Sequence, residues 1–271
     1  MNEDCWLSNN LTTKSTPYSG SSYQTAIQSY VTLLVQNGIY PILDLHFTDG
    51  AGGVSSMDMQ QPMPDPNATK LWTSVATMFA SQNKVIFDLF NEPFPDMNMD
   101  SASAWQCWQM GGSMCPGVSF PVVGMQAMLS AARAAGATNF VVMGGLEYSN
   151  DLTQWLTYAP VDNNIGVSWH IYSDNPYTKA SDITAILAKV PVVATEFGDA
   201  TNPPTCTGAF VTSVMVALDN PGTGLPPQSY LAWSWSTDNM PKLLSSYNPV
   251  TPTCDGPTIM MHLMAKSMLA P

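Results

Sequence analysis

VIFDLFNEPF, residues 85–94, is the stretch on which the fold turns. Val85 to Phe90 is apolar except for Asp88, and the run stops at Asn91, Glu92 and Pro93. A short run of β-branched and aromatic residues reads as a strand buried on both faces, the signature of a parallel sheet covered by helices. Pro93 has no N–H to give a sheet and fixes its own φ, so the strand ends there. A second stretch, VVATEFGD at 192–199, repeats the pattern and carries Glu196 at its end. Both glutamates fall where barrels of alternating strands and helices place their chemistry, at the C-terminal ends of strands.

Working outward, strands and helices alternate. Residues 23–37 have helical apolar spacing at Ile27, Tyr30, Val31, Leu34 and Val35, with Gly38 as the cap. YPILDLH (40–46) reads as a strand, 67–82 as a helix, and 94–120 as a long loop holding Trp105, Cys107, Trp108 and Cys115. Further strands are expected at 139–145, 166–172 and 229–235. Helices are expected at 121–136, 151–156, 181–189, 207–219 and 258–270, and a polar opening stretch to about residue 22. This alternation predicts an α/β fold, one domain over 1–271, with a parallel sheet and outer helices.

Composition excludes several partners. Of the 271 residues, 45% are hydrophobic and 10% charged, which is a globular balance. Twenty acidic residues against eight basic ones give a net charge of −12, and Arg133 is the single arginine. Such a surface repels nucleic acid and anionic membranes, whereas a neutral polysaccharide meets no repulsion. No apolar run reaches bilayer length. The opening MNEDCWLSNN has neither a basic nor an apolar segment of a signal peptide. Cys5, Cys107, Cys115, Cys206 and Cys254 lack metal-type spacing, so disulfides and export are expected. Sequons at Asn10 and Asn67 decide nothing.

Two carboxylates converging from different strands can cleave a glycosidic bond, one protonating the leaving oxygen and the other attacking the anomeric carbon. A lone glutamate after a strand is ordinarily a solvated charge. Asn91 and Pro93, on either side of Glu92, distinguish it from that case. Trp6, Trp105, Trp108, Tyr148, Trp155 and Trp169 could extend a sugar groove, though packing is the commoner use of such residues.

LDLH ending at His46, LFNEP with Asn91 and Glu92, WHIY with His170 and Tyr172, TEFGD with Glu196, and AWSW with Trp233 follow one another in order. Together they resemble the retaining, cellulase-type glycoside hydrolases of family five, TIM-type (β/α)₈ barrels, at strands three, four, six, seven and eight. The resemblance implies Glu92 as acid/base and Glu196 as nucleophile. Asn91 would hold the sugar 2-hydroxyl, Tyr172 would orient Glu196, and His170 would lie near Glu92. His46 would bind sugar hydroxyls and Trp233 would stack on the sugar. It implies a secreted endo-β-1,4-glycosidase without metal or cofactor, acting on a β-linked polysaccharide, with the two carboxyl groups about 5–5.5 Å apart.

The strand ending at His46 would be the family's third. The chain therefore reads as an N-terminally truncated barrel of about six strands, lacking roughly 60–70 residues at typical unit lengths. The arginine the family carries near strand two has no counterpart, since Arg133 lies after strand four. Open sheet edges predict self-association. Two other readings are a catalytically silent carbohydrate-binding remnant and a metal hydrolase built on His46, Asp49 and His170; the last lacks close ligand spacing.

Overall fold

A computed structural model describes residues 1–11, 18–50, 60–175, 180–201, 205–222 and 224–267. It divides into two compact units, Met1–Val167 and Ser168–Pro271.

The first unit opens with helix α1 (Glu3–Leu7), capped by Asn2, whose side chain accepts from the Cys5 N–H at 3.0 Å. A polar loop was the expectation here. Instead Glu3, Asp4, Cys5 and Trp6 are all buried, and Asn2 bridges in parallel to Phe47. The acidic letters hide this burial, because hydropathy cannot foresee carboxylates packed against one another. Helix α2 (Gly20–Gln36) follows, and Gln24 Nε2 donates to the Trp6 carbonyl at 2.8 Å. Its expected apolar stripe is only partly covered: Val31 is buried but Tyr30 is 61% exposed.

Then come β1 (Ile42–Asp44), α3 (Ala68–Phe79) and β2 (Ile86–Asp88). The stretch expected as one long loop holds α4 (Ala102–Met110) and a hairpin of β3 (Gly111–Gly112) and β4 (Val122–Val123). Ser101 caps α4 by accepting from the Ala104 N–H at 3.0 Å, and a disulfide joins Cys107 to Cys115. Helix α5 (Met125–Ala134), β5 (Val141–Gly144), the short turn α6 (Leu146–Ser149), α7 (Trp155–Tyr158) and the start of β6 (Ile165–Tyr172) complete the unit.

Leu71, Trp72, Val75, Ala76 and Phe79 form the buried stripe of α3, opposite Met125, Met128, Leu129 and Ala132 of α5. Burying each large side chain stabilises the fold by roughly 1.5–3 kcal/mol. Trp72 also donates from Nε1 to the Leu89 carbonyl at 3.0 Å, so Trp72→Ala should cost about 3–5 kcal/mol. Arg133 clamps the base of β5 and β6. Its Nε donates to Asp162 Oδ2 at 2.8 Å and its Nη2 to Oδ1 at 3.1 Å, while Nη1 reaches the carbonyls of Ala137 and Asn139.

The second unit continues β6 from Ser168 and adds α8 (Ala180–Leu187), β7 (Val192–Gly198), α9 (Ala209–Asp219) and β8 (Ser229–Ala232). The hairpin of β9 (Leu244–Tyr247) and β10 (Val250–Pro252) leads to α10 (Gly256–Ser267). The expectation for this last helix ran on to 270, and residues 268–270 lie outside the described ones. A Cys206–Cys254 disulfide ties the segment before α9 to the one before α10, leaving Cys5 as a buried free thiol. Asp219 of α9 holds α10 through His262 Nε2 and Lys266 Nζ, both at 2.9 Å.

The large strands follow the order β1-β2-β5-β6-β7-β8, with parallel pairing at β1–β2, β2–β5 and β7–β8. Helical crossovers between such strands make this the expected α/β fold.

Candidate active site

The residues singled out by sequence fall into two sets, one in each unit. In the first unit, pairing of β1 and β2 runs on past the regular strands. The Leu45 N–H donates to the Asp88 carbonyl at 3.2 Å, and the Asn91 N–H to the Leu45 carbonyl at 3.0 Å. This ladder sets the residue before His46 beside Asn91. His46 Nδ1 stands 2.7 Å from Asp44 Oδ2, which fixes the ring. Asn91 is 3% exposed, and no acceptor among the described residues reaches its Nδ2.

Glu92 has a left-handed backbone, φ +50°. Such a conformation costs a non-glycine residue of order 1 kcal/mol and persists only where neighbours enforce it. Pro93 follows directly, and Gln60 Nε2 donates to the carbonyls of Asn91 (3.3 Å) and Glu92 (3.2 Å). Sequence reasoning missed Gln60, for a glutamine at the edge of a Pro-rich stretch carries no pattern. Just beyond, the rings of Phe94 and Tyr148 lie 5.2 Å apart, with Tyr148 40% exposed. Burial, then the charges of Asp151 and Asp100, push the Glu147 carboxyl next to it up to about 7.

In the second unit, Glu196 near the end of β7 is buried, and the Tyr172 hydroxyl donates to its Oε2 at 2.6 Å. His170 Nδ1 stands 3.5 Å from the same oxygen. Residues 170 and 172 alternate along β6 and so share one face, which is why WHIY can present both to Glu196. Gly198 leaves room for this cluster, since a Cβ there would meet Pro241 Cγ at 2.6 Å and Tyr172 Cε1 at 3.4 Å. Trp233 sits past β8, its N–H on the Phe197 carbonyl at 2.9 Å and its Nε1 on the Met240 carbonyl at 3.2 Å. Asp199, also buried, accepts from Ser173 (2.7 Å), Thr201 (2.8 Å) and Thr205 (2.6 Å). Burial alone would raise this carboxyl, but these hydrogen bonds outweigh it and hold it well below the usual carboxylate range.

The other aromatics resolve into packing. Trp6, Trp105, Trp108 and Trp155 are fully buried, Trp169 nearly so, and Trp108 and Trp155 donate to the carbonyls of Gly144 and Met143. Within its own unit His46 turns to Asp44, Asp49 lies with Glu3 and Asp65, and His170 turns to Glu196.

The family model Cellulase (glycosyl hydrolase family 5) matches residues 5–239. The chain belongs to glycosyl hydrolase family 5. A curated relative, the manganese dependent endoglucanase Eg5A of Phanerodontia chrysosporium, is 29% identical over 113 residues, covering 41% of this chain and 24% of that protein. The match thus spans about a quarter of that relative's length. Among solved structures, the β-glucanase SdGluc5_26A from Saccharophagus degradans superposes with a TM-score of 0.66 at 19% identity, covering 93% of this chain and 75% of that one. The catalytic domain of a mannanase from Streptomyces sp. SirexAA-E gives 0.55 at 19% identity, covering 84% and 66%. These likenesses show the (β/α) barrel fold.

Proposed function

We propose that the chain is a retaining, cellulase-like endo-β-glycosidase that hydrolyses β-1,4-linked polysaccharide by double displacement. The observation that carries this reading is the 2.6 Å hydrogen bond from Tyr172 to Glu196 Oε2, which aims one buried carboxylate from one of its oxygens. In the first step the Glu196 carboxylate attacks the anomeric carbon, Glu92 gives its proton to the glycosidic oxygen, and the aglycone leaves. In the second, Glu92 takes a proton from water, whose oxygen attacks the same carbon and frees Glu196. No step needs a metal.

The remaining residues take roles suited to a sugar. Asn91 Nδ2, buried and without an acceptor among the described residues, is set to donate to the 2-hydroxyl beside the reacting carbon. His46, fixed by Asp44, offers its Nε2 to another hydroxyl. Trp233, with Phe94 and Tyr148, supplies aromatic faces for the C–H faces of the sugar rings. SdGluc5_26A has been crystallised in complex with cellotetraose, which favours a glucan as the first substrate to try. Two disulfides fit an extracellular site of action.

One observation favours a second reading, an impaired carbohydrate-binding remnant. Arg133, the single arginine, is engaged by Asp162 and backbone carbonyls and supports neither carboxylate.

Reducing-sugar release on soluble cellulose, xyloglucan and mannan, with the product anomer followed by NMR, tests the proposal. Release of the β-anomer first, lost in Glu196→Gln, is expected. An α-anomer, or unchanged turnover in Glu196→Gln, would overturn it. Binding without turnover would select the remnant.

A further inference from the structure

A second group of carboxylates lies in the first unit, and glycoside hydrolysis has no use for it. Glu3 opens α1, Asp49 follows β1, and Asp65 precedes α3. All three are buried, at 0%, 1% and 3% exposure, and one oxygen from each lies within 4.8 Å of the others. Asp4, also fully buried, adjoins Asp49. No lysine or arginine among the described residues forms an ion pair with Glu3, Asp49 or Asp65.

The hydrogen bonds around the group come from its rim. Thr48 Oγ1 donates to Glu3 Oε2 at 2.8 Å. The Asn67 backbone N–H donates to Asp65 Oδ1 at 2.7 Å, and its side-chain amide reaches Oδ2 at 3.2 Å. The Asn10 amide donates to Asp49 Oδ2. No donor reaches the inner oxygens Glu3 Oε1 and Asp49 Oδ1, although neither touches water. Carboxylates stacked on one another out of water leave two resolutions, a proton between each pair of oxygens or a cation among them.

We infer that Glu3, Asp49 and Asp65 bind a hard divalent cation, with Asp4 and Thr48 beside it. All the donors are oxygens, the set that suits calcium, magnesium and manganese rather than zinc or copper. Oxygens about 2.3–2.6 Å from a calcium ion can lie up to roughly 4.6–5.2 Å from one another, so the observed spacing leaves room for an ion between them. The ion would cross-link three segments far apart in sequence. Because the Glu3 N–H donates to the Phe47 carbonyl at 2.9 Å, it would pin α1 against the residue after His46. Its role is to fix the end of β1, and no step of hydrolysis passes through it.

The test is made on the whole chain after removal of metal with a chelator. Thermal melting is followed against calcium, magnesium and manganese chloride, and bound metal is counted by mass spectrometry after dialysis. One ion per chain is expected, with the melting temperature raised by about 5 °C or more at roughly a hundredfold excess over Kd. Glu3→Gln/Asp49→Asn should lose both the ion and the shift while melting no lower than the metal-free parent. No bound ion and no shift with any of the three salts would overturn the inference, as would an equal shift in the double variant. Should that variant fail to fold, the count on the parent chain decides. None of these readouts depends on glycosidase turnover, so this inference and the proposed function can fail separately.

Discussion

The Tyr172 hydroxyl and Glu196 Oε2 are 2.6 Å apart, and His170 Nδ1 stands 3.5 Å from the same oxygen. Two neighbours on one oxygen hold the carboxylate plane still. In the proposed mechanism Glu196 is the nucleophile, whose plane must stay aligned with the anomeric carbon, and this pair would aim it.

Tyr172→Phe removes the donor and keeps the ring. A hydrogen bond to a charged group contributes about 1.5–3 kcal/mol, so a fall in kcat of roughly 10- to 100-fold is expected, with KM little moved. Steady-state kinetics on a soluble glucan reads this. A change confined to KM would assign Tyr172 to sugar binding instead.

Two carboxylates give stability opposite pH dependences. Asp199 is held below its usual range, so the folded state keeps its charge longer than the unfolded chain. Its contribution is present above the unfolded value of about 3.9 and is lost as pH falls through the folded one. Glu147 is raised from 4.5 to about 7, so its contribution is full below 4.5 and is lost as pH rises toward 7. Urea midpoints across this range should show Glu147→Gln with a smaller loss of stability between those two values than the parent. Asp199→Asn should be less stable than the parent at neutral pH, with the gap narrowing below about pH 4. Parallel curves for parent and variants would refute both assignments.

Much of this was legible in the letters. Both glutamates, Asn91, His46, His170, Tyr172 and Trp233 sit at or just past strands whose apolar runs announce themselves, and the spacing of His170 and Tyr172 already puts them on one face. The misses have physical causes. Residues 94–120 read as loop because Gly and Pro are dense near its end, yet Ser101 caps a helix whose Trp105 and Trp108 pack at 5.5 Å. The opening residues read as a polar stretch because Ser, Thr and Asn are dense to about residue 22, and only tertiary structure gathers Glu3 with Asp49 and Asp65. Gln60 acts through two backbone carbonyls, which no side-chain pattern records.

Arg133 is a stability residue. Its bidentate pair with Asp162 is mostly buried, and Asp162 is held below its usual range first by that hydrogen bond. Lysine cannot reproduce the fork or the bonds to Ala137 and Asn139. Arg133→Lys should cost about 3 kcal/mol, since it leaves a partly buried carboxylate and two carbonyls underpaired. Chemical denaturation measures this. A cost below about 0.5 kcal/mol, the scale of ordinary surface changes, would show the clamp to be dispensable.

Strand β8 ends the sheet order, so its outer edge has no strand beside it among the described residues; Leu231 on it is 43% exposed, and Trp235, past its end, 67%. In the first unit Tyr30, Leu33, Ile39 and Tyr40 are each at least half exposed. A contact covering about 1,000 Å² of apolar surface over two chains would contribute roughly 25 kcal/mol at about 25 cal/mol per Å², which exceeds the roughly 4–15 kcal/mol cost of association by enough for micromolar binding. Light scattering should therefore give a mass above 29.2 kDa that rises with concentration. Leu231→Lys, which puts a charge on the open edge, should lower it. A constant mass of one chain across the series would mean that these apolar residues are tolerated singly in water and that the edge of β8 needs no partner.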